Sequence, residues 1–120
     1  MRKWIVAAGI VGLAFCSGSA VAHEEAEGDQ TVTGEVVDMA CYLDHNASGA
    51  GHQECAQKCI SSGLPVGIKS ADQLYLVIGS DHQPANKTLA PYAAKMVVAE
   101  GTVTEQNGVH LLALKKVTVK

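Results

Sequence analysis

Residues 95–119 read KMVVAEGTVTEQNGVHLLALKKVTV, and this stretch decides the fold. Residues 95–105 and 109–119 are two strand-like segments. Gln106-Asn107-Gly108 lies between them, and the Asn-Gly pair is the signal of a tight hairpin turn. A two-stranded ribbon of this length needs further strands to bury its apolar side chains.

Those strands lie upstream. Residues 74–78, LYLVI, are apolar on both faces, which marks a central strand. Residues 66–68 begin another strand, and Ser70-Ala71-Asp72-Gln73 makes the turn between the two. Residues 31–37 are rich in β-branched side chains, and Gly34 within them predicts a bulge or a sharp bend. Val32, Gly34 and Val36 share one face. Two helical stretches interrupt the strands. Residues 52–62 carry an apolar stripe of Ala56, Cys59 and Ile60 alongside Cys55, ended by Gly63 and then Pro65. Residues 84–94 form a second, shorter stretch, weakened by Pro91. Residues 44–51, DHNASGAG, read as loop.

The element order is strand, helix, strand, strand, helix, strand, strand. Five strands with a helix between the third and fourth predict a mainly β, five-stranded OB-fold-like Greek-key barrel with an inserted Cys/His-bearing helix and a second short helix. The tail from Lys95 to Thr104 with its Asn-Gly hairpin, and the opening Thr33-Gly34-Glu35-Val36-Val37-Asp38, resemble small secreted bacterial OB-fold domain proteins, a loosely defined and mostly uncharacterised group. The resemblance covers residues 31–119 at the level of strand pattern. It implies a fold and no activity.

Composition sets the limits. The chain has 120 residues, 48% hydrophobic and 18% charged, which is one domain and too apolar for a disordered chain. Residues 1–22 read as a secretory signal peptide: Arg2 and Lys3, an uncharged apolar run over residues 4–15, then Ala20-Val21-Ala22 before His23. The run of 12 residues is shorter than the roughly 20 a membrane-spanning helix needs. Leu13-Ala14-Phe15-Cys16 is an imperfect lipoprotein signal, since Phe15 stands where a small residue is normal, so Cys16 is expected to leave with the leader rather than carry lipid. The expected compartment is the bacterial periplasm or the exterior, where disulfides are permitted. Residues 23–30 read as a flexible acidic leader, and residues 31–120 as the domain. Loss of Arg2 and Lys3 lowers the basic count from 9 to 7 against 12 acidic residues, taking the net charge from −3 to −5. With three tyrosines as its only aromatics, such a domain lacks the stacking platform and positive field of a nucleic-acid binder.

The chemistry concentrates in Cys41-Tyr42-Leu43-Asp44-His45 and His52-Gln53-Glu54-Cys55-Ala56-Gln57-Lys58-Cys59. On a helix over residues 52–62, His52, Cys55 and Cys59 project from one face on successive turns. Cys41, at the end of the first strand, is within reach of that face across a short loop. Cys41, His52, Cys55 and Cys59 then make a set of three thiolates and one imidazole, which suits tetrahedral Zn(II). Three soft sulfurs also suit Cu(I). His45 is an alternative imidazole and Met39 a further thioether. Asp38 is read as an orienting partner for a histidine or as a solvated strand-end carboxylate. His82 and His110 read as surface residues, and His23 as part of the leader. The C-x-x-x-C spacing with a nearby histidine resembles copper-handling segments of respiratory copper chaperones, which carry the motif in a loop of a different fold. A c-type haem is excluded by that spacing and by the lack of a histidine after Cys59.

Three readings stay open, the third being a thiol-redox protein, which requires a cysteine of low pKa. The first is a periplasmic metal-binding protein for copper or zinc storage, delivery or sensing, whose partners are the ion and a metallochaperone or target protein. The second is a non-enzymatic ligand- or protein-binding module, in which Cys41 pairs with Cys55 or Cys59 as a disulfide staple worth about 3 kcal/mol. The staple leaves one odd thiol, which would be buried, intermolecular or redox-active. No serine–histidine–acid set, phosphate loop or spaced carboxylate pair argues for hydrolysis.

Overall fold

The computed structural model describes residues 28–120. The expected signal peptide, its cleavage site, Cys16 and His23 lie outside these residues. The elements are β1 (Gly28–Asp38), α1 (Met39–His45), a 3-10 turn (Ala50–His52), α2 (Gln53–Ser61), β2 (Val66–Lys69), β3 (Leu74–Gly79), α3 (Asn86–Leu89), a second 3-10 turn (Ala90–Tyr92), β4 (Met96–Gln106) and β5 (Val109–Val119). The five strands close into a barrel in the order β1-β2-β3-β5-β4. All neighbours are antiparallel except β3 and β5, which run parallel.

Closure depends on β1. Residues 28–35 pair with β4 and residues 35–38 with β2, so one strand serves two neighbours and bends between them. Gly34 sits just before that exchange. A Cβ there would lie 2.4 Å from the Lys69 carbonyl oxygen. The register through Gly34 is unbroken, so the glycine marks a close crossing of two backbones and not a bulge. The bulge falls elsewhere. Glu100 pairs with Lys116 and Gly101 with Leu114, leaving Lys115 as the extra residue of β5. The Lys115 ammonium donates to both carboxylate oxygens of Asp29, at 2.7 and 2.9 Å, and holds that carboxyl below the usual carboxylate range.

The core follows the strand alternation. Val32, Val36, Ile68, Val77, Val97 and Leu112 are buried inside the barrel. Ile60 from α2 and Leu89 from α3 join the same cluster, both with no exposed surface. Burying a side chain of this size contributes about 1.5–3 kcal/mol. The two helices are also stitched by polar contacts. The Asn86 amide donates to the carbonyls of Ile60 at 2.8 Å and Leu64 at 2.6 Å, satisfying backbone groups at the end of α2.

Several expectations shift. Cys41 is not at the end of the first strand; it lies inside α1, an element absent from the sequence reading. The span read as loop from residue 44 is in part helical, with α1 ending at His45 and a 3-10 turn at Ala50–His52. β1 starts at Gly28, inside the stretch read as leader, because backbone pairing to β4 and the Asp29 contacts with Thr102 and Lys115 need no apolar side chain. Residues 84–94 yield a single four-residue α-helix, and Pro91 falls in the 3-10 turn after it. The hairpin is as expected. Asn107 and Gly108 take φ values of 53° and 82°, which a type I′ turn requires.

Candidate metal centre

The site is built in the connection from β1 to β2. Asp38 ends β1 with extended backbone angles, and its side chain accepts the Ala40 N–H at 3.1 Å, so the last strand residue is also the N-cap of α1. The Met39 N–H donates to the Pro65 carbonyl at 3.0 Å, tying the start of α1 to the entry of β2. α1 stops at Asn46, which adopts the left-handed conformation with φ 53°. The following loop is pinned from the barrel: the Glu35 carboxylate accepts the Gly49 N–H and faces the Lys69 ammonium at 3.6 Å. The chain then enters α2 through the 3-10 turn.

α2 ends as its sequence implies. Gly63 takes φ 103°, its N–H donates to Ile60, and the Leu64 N–H reaches the Cys59 carbonyl at 3.2 Å, a Schellman closure. Ala56 and Ile60 face the core. The face that carries Cys55 and Cys59, one turn apart, looks toward α1 and meets Cys41. The three thiol sulfurs all lie within 4.8 Å of one another. Cys41 and Cys59 are half-buried and Cys55 is exposed. All three are free thiols, and no disulfide forms among the described residues.

A second group overlaps the first. One carboxylate oxygen of Asp38, the Cys41 sulfur and a His52 ring nitrogen also lie within 4.8 Å of one another. Asp38 is almost completely buried, which removes it from the class of solvated strand-end carboxylates. Its Oδ2 and the His52 Nε2 are both buried without a hydrogen-bond partner among the described residues. Buried polar atoms without partners are uncommon, and an unplaced ion or water is one of their ordinary explanations.

The electrostatics follow from this crowding. The Asp38 carboxylate beside the Cys41 thiol, helped by burial and by the neighbouring sulfurs, pushes that thiol's pKa up to about 12. Burial, with Cys55 beside it, also raises Cys59. Without a cation, then, Cys41 and Cys59 hold their protons. A cation reverses that preference, because it binds the thiolates and releases the protons to solvent. Two sulfurs bound to one zinc at about 2.3 Å are at most about 4.6 Å apart, so small side-chain movements suffice to close the trio on an ion.

The predicted residues divide as follows. Cys41, Cys55 and Cys59 come together, and His52 meets Cys41. His45 is exposed and turned to Asp44 at 3.0 Å. The Met39 side chain lies over Gly67, where an added Cβ would be 2.7 Å from its Cγ. His110 contacts the Tyr75 ring at a centroid distance of 5.9 Å, and His82 is exposed in the turn after β3. Asp38 is the member that sequence reasoning undervalued. Its signal was local: an aspartate directly before a run with helix-forming residues is an N-cap pattern. Comparison with known protein families, curated proteins and solved structures gave no match.

Proposed function

We propose that this chain is a secreted, periplasmic metal-binding protein that holds Cu(I) or Zn(II) on Cys41, Cys55 and Cys59 and passes it on or stores it. One observation carries the reading: three sulfurs from two helices converge within 4.8 Å of one another. A soft or borderline ion is what such a donor set selects. Cys55 is exposed, so the bound ion is reachable by an incoming ligand, and exchange with a partner's thiol or imidazole can begin there. His52 beside Cys41 supplies a nitrogen donor at the same place. Under this reading the barrel is an OB-fold variant. The strand order with a parallel β3–β5 pair, and helices in the connections between strands 1 and 2 and strands 3 and 4, support that assignment. Among the described residues no helix is long and apolar enough to cross a membrane.

The test is native mass spectrometry of protein purified without oxygen, with thiols counted on the same sample. The expected result is a bound ion and three thiols that react only after chelation. Cys55→Ser should abolish binding of the ion held by the trio. Unchanged metal content in that variant sinks the reading. One disulfide, one free thiol and no metal would replace it with the stapled binding module.

A further inference from the structure

The thiol trio leaves two polar atoms beside it unused. Asp38 is only 1% exposed, and the Ala40 N–H occupies its Oδ1. Its Oδ2 and the His52 Nε2 are buried without hydrogen-bond partners. They belong to two different elements, the end of β1 and the 3-10 turn before α2, yet both groups meet at Cys41. Burying a carboxylate oxygen and an imidazole nitrogen in this way is costly unless something between them binds both. A cation held by both atoms does so.

We propose that the site takes two divalent cations of the Zn(II) class bridged by the Cys41 thiolate, one on Cys41, Cys55 and Cys59, the second on Asp38, Cys41 and His52. The proposal rests on the reading of the trio as a metal site and adds the second ion. Two groups that share one sulfur, each with all donor atoms within 4.8 Å, are the arrangement a bridge needs. Ions held by one bridging sulfur at about 2.3 Å lie roughly 3–4 Å apart, the ordinary separation of two-metal sites. Charge points the same way. Three thiolates around one dication keep a net −1, and the Asp38 carboxylate brings that to −2. A second dication makes the centre neutral. The donor types also discriminate: an oxygen and a nitrogen beside one sulfur favour a divalent borderline ion over Cu(I). On binding, each thiol loses its proton to solvent as its metal–sulfur bond forms.

The experiment titrates the reduced, metal-free protein anaerobically with Zn(II), counted by native mass spectrometry, and with Co(II) as spectroscopic probe. The expected result is two ions per chain. The first equivalent of Co(II) brings the sulfur-to-cobalt absorption band, and the second weakens the electron paramagnetic resonance signal through coupling across the shared sulfur. His52→Gln and Asp38→Asn should each take one ion and keep the band of the first. Asn at position 38 still offers an oxygen to the α1 cap, and His52 lies outside the core cluster, so the pair protects the test against a variant that fails to fold. Circular dichroism checks both. One ion per wild-type chain with all three thiols blocked overturns the second ion and leaves the trio standing. No ion at all overturns both. Two ions in both variants, or two uncoupled cobalt signals, overturn the bridged arrangement.

Discussion

Asp38 and Asn86 show how much one side chain settles here. Asp38 ends a strand, caps a helix and lines the candidate metal centre. Asn86 closes the end of α2 with two hydrogen bonds from one amide. Asn86→Ala leaves the Ile60 and Leu64 carbonyls without these donors, and the expected loss is about 1–3 kcal/mol, read as a lower denaturant midpoint at unchanged slope. Cys41 gives a pH prediction for the metal-free, reduced protein. Its pKa in the fold is raised from 9.0 to about 12, so the folded state holds the proton more tightly than the unfolded chain. That contribution is fully present below pH 9 and is lost as pH rises through 12. Stability should therefore fall more steeply over this window in the wild type than in Cys41→Ser, as measured by denaturant melts at pH 8 and 11. At this scale the cysteines and His52 were legible, because thiols three to seven residues from a histidine on one helix face have few other uses. Asp38 was not, because a carboxylate at the end of a strand looks the same in sequence whether it is solvated or sealed beneath a helix.

Elements were legible where burial gives them a period. α2 buries Ala56 and Ile60 and ends in a glycine, so its span, within a residue at each end, could be read directly. α1 buries no residue at all, and a helix without an apolar stripe has no periodicity to detect. It is held by its cap, by the Met39–Pro65 hydrogen bond and by the pinned loop after it. The bulge at Lys115 was equally invisible, since register is a property of two strands together. Gly34 reads in sequence as a bulge or a sharp bend, and the actual reason for the glycine is steric. Gly34→Ala sets a methyl 2.4 Å from the Lys69 carbonyl oxygen, and Gly101→Ala sets one 2.2 Å from that of Ala113. Neither neighbour is a flexible side chain, so each substitution should cost more than about 3 kcal/mol. Gly63→Ala meets open space and only an unfavourable φ, so about 1 kcal/mol is expected. Thermal melts of the three variants should separate these two classes.

For the molecule as a whole, the proposed metal binding couples to folding. An ion that binds only the folded chain at a free concentration of 100 times its Kd adds about 2.7 kcal/mol. For a domain of this size that corresponds to a rise in Tm of roughly 10–20 °C. Zn(II) should therefore raise the melting temperature, a chelator should reverse the rise, and the rise should be smaller in Cys55→Ser. The five-stranded barrel could be inferred from the number of strands and the position of the helices, but the division of β1 between two neighbours that closes it could not. The two parts of the molecule also differ in reach along the chain. Every residue of the candidate metal centre falls between positions 38 and 59, whereas closing the barrel joins Gly28 to Val103. Short loops close sooner than long ones. The thiols can thus meet, and capture an ion or oxidise, while the first and fourth strands are still apart. In a stopped-flow refolding experiment, thiol protection by metal should precede the burial of the barrel core, which makes the centre an organiser of the fold's first half and not an ornament added to its finished surface.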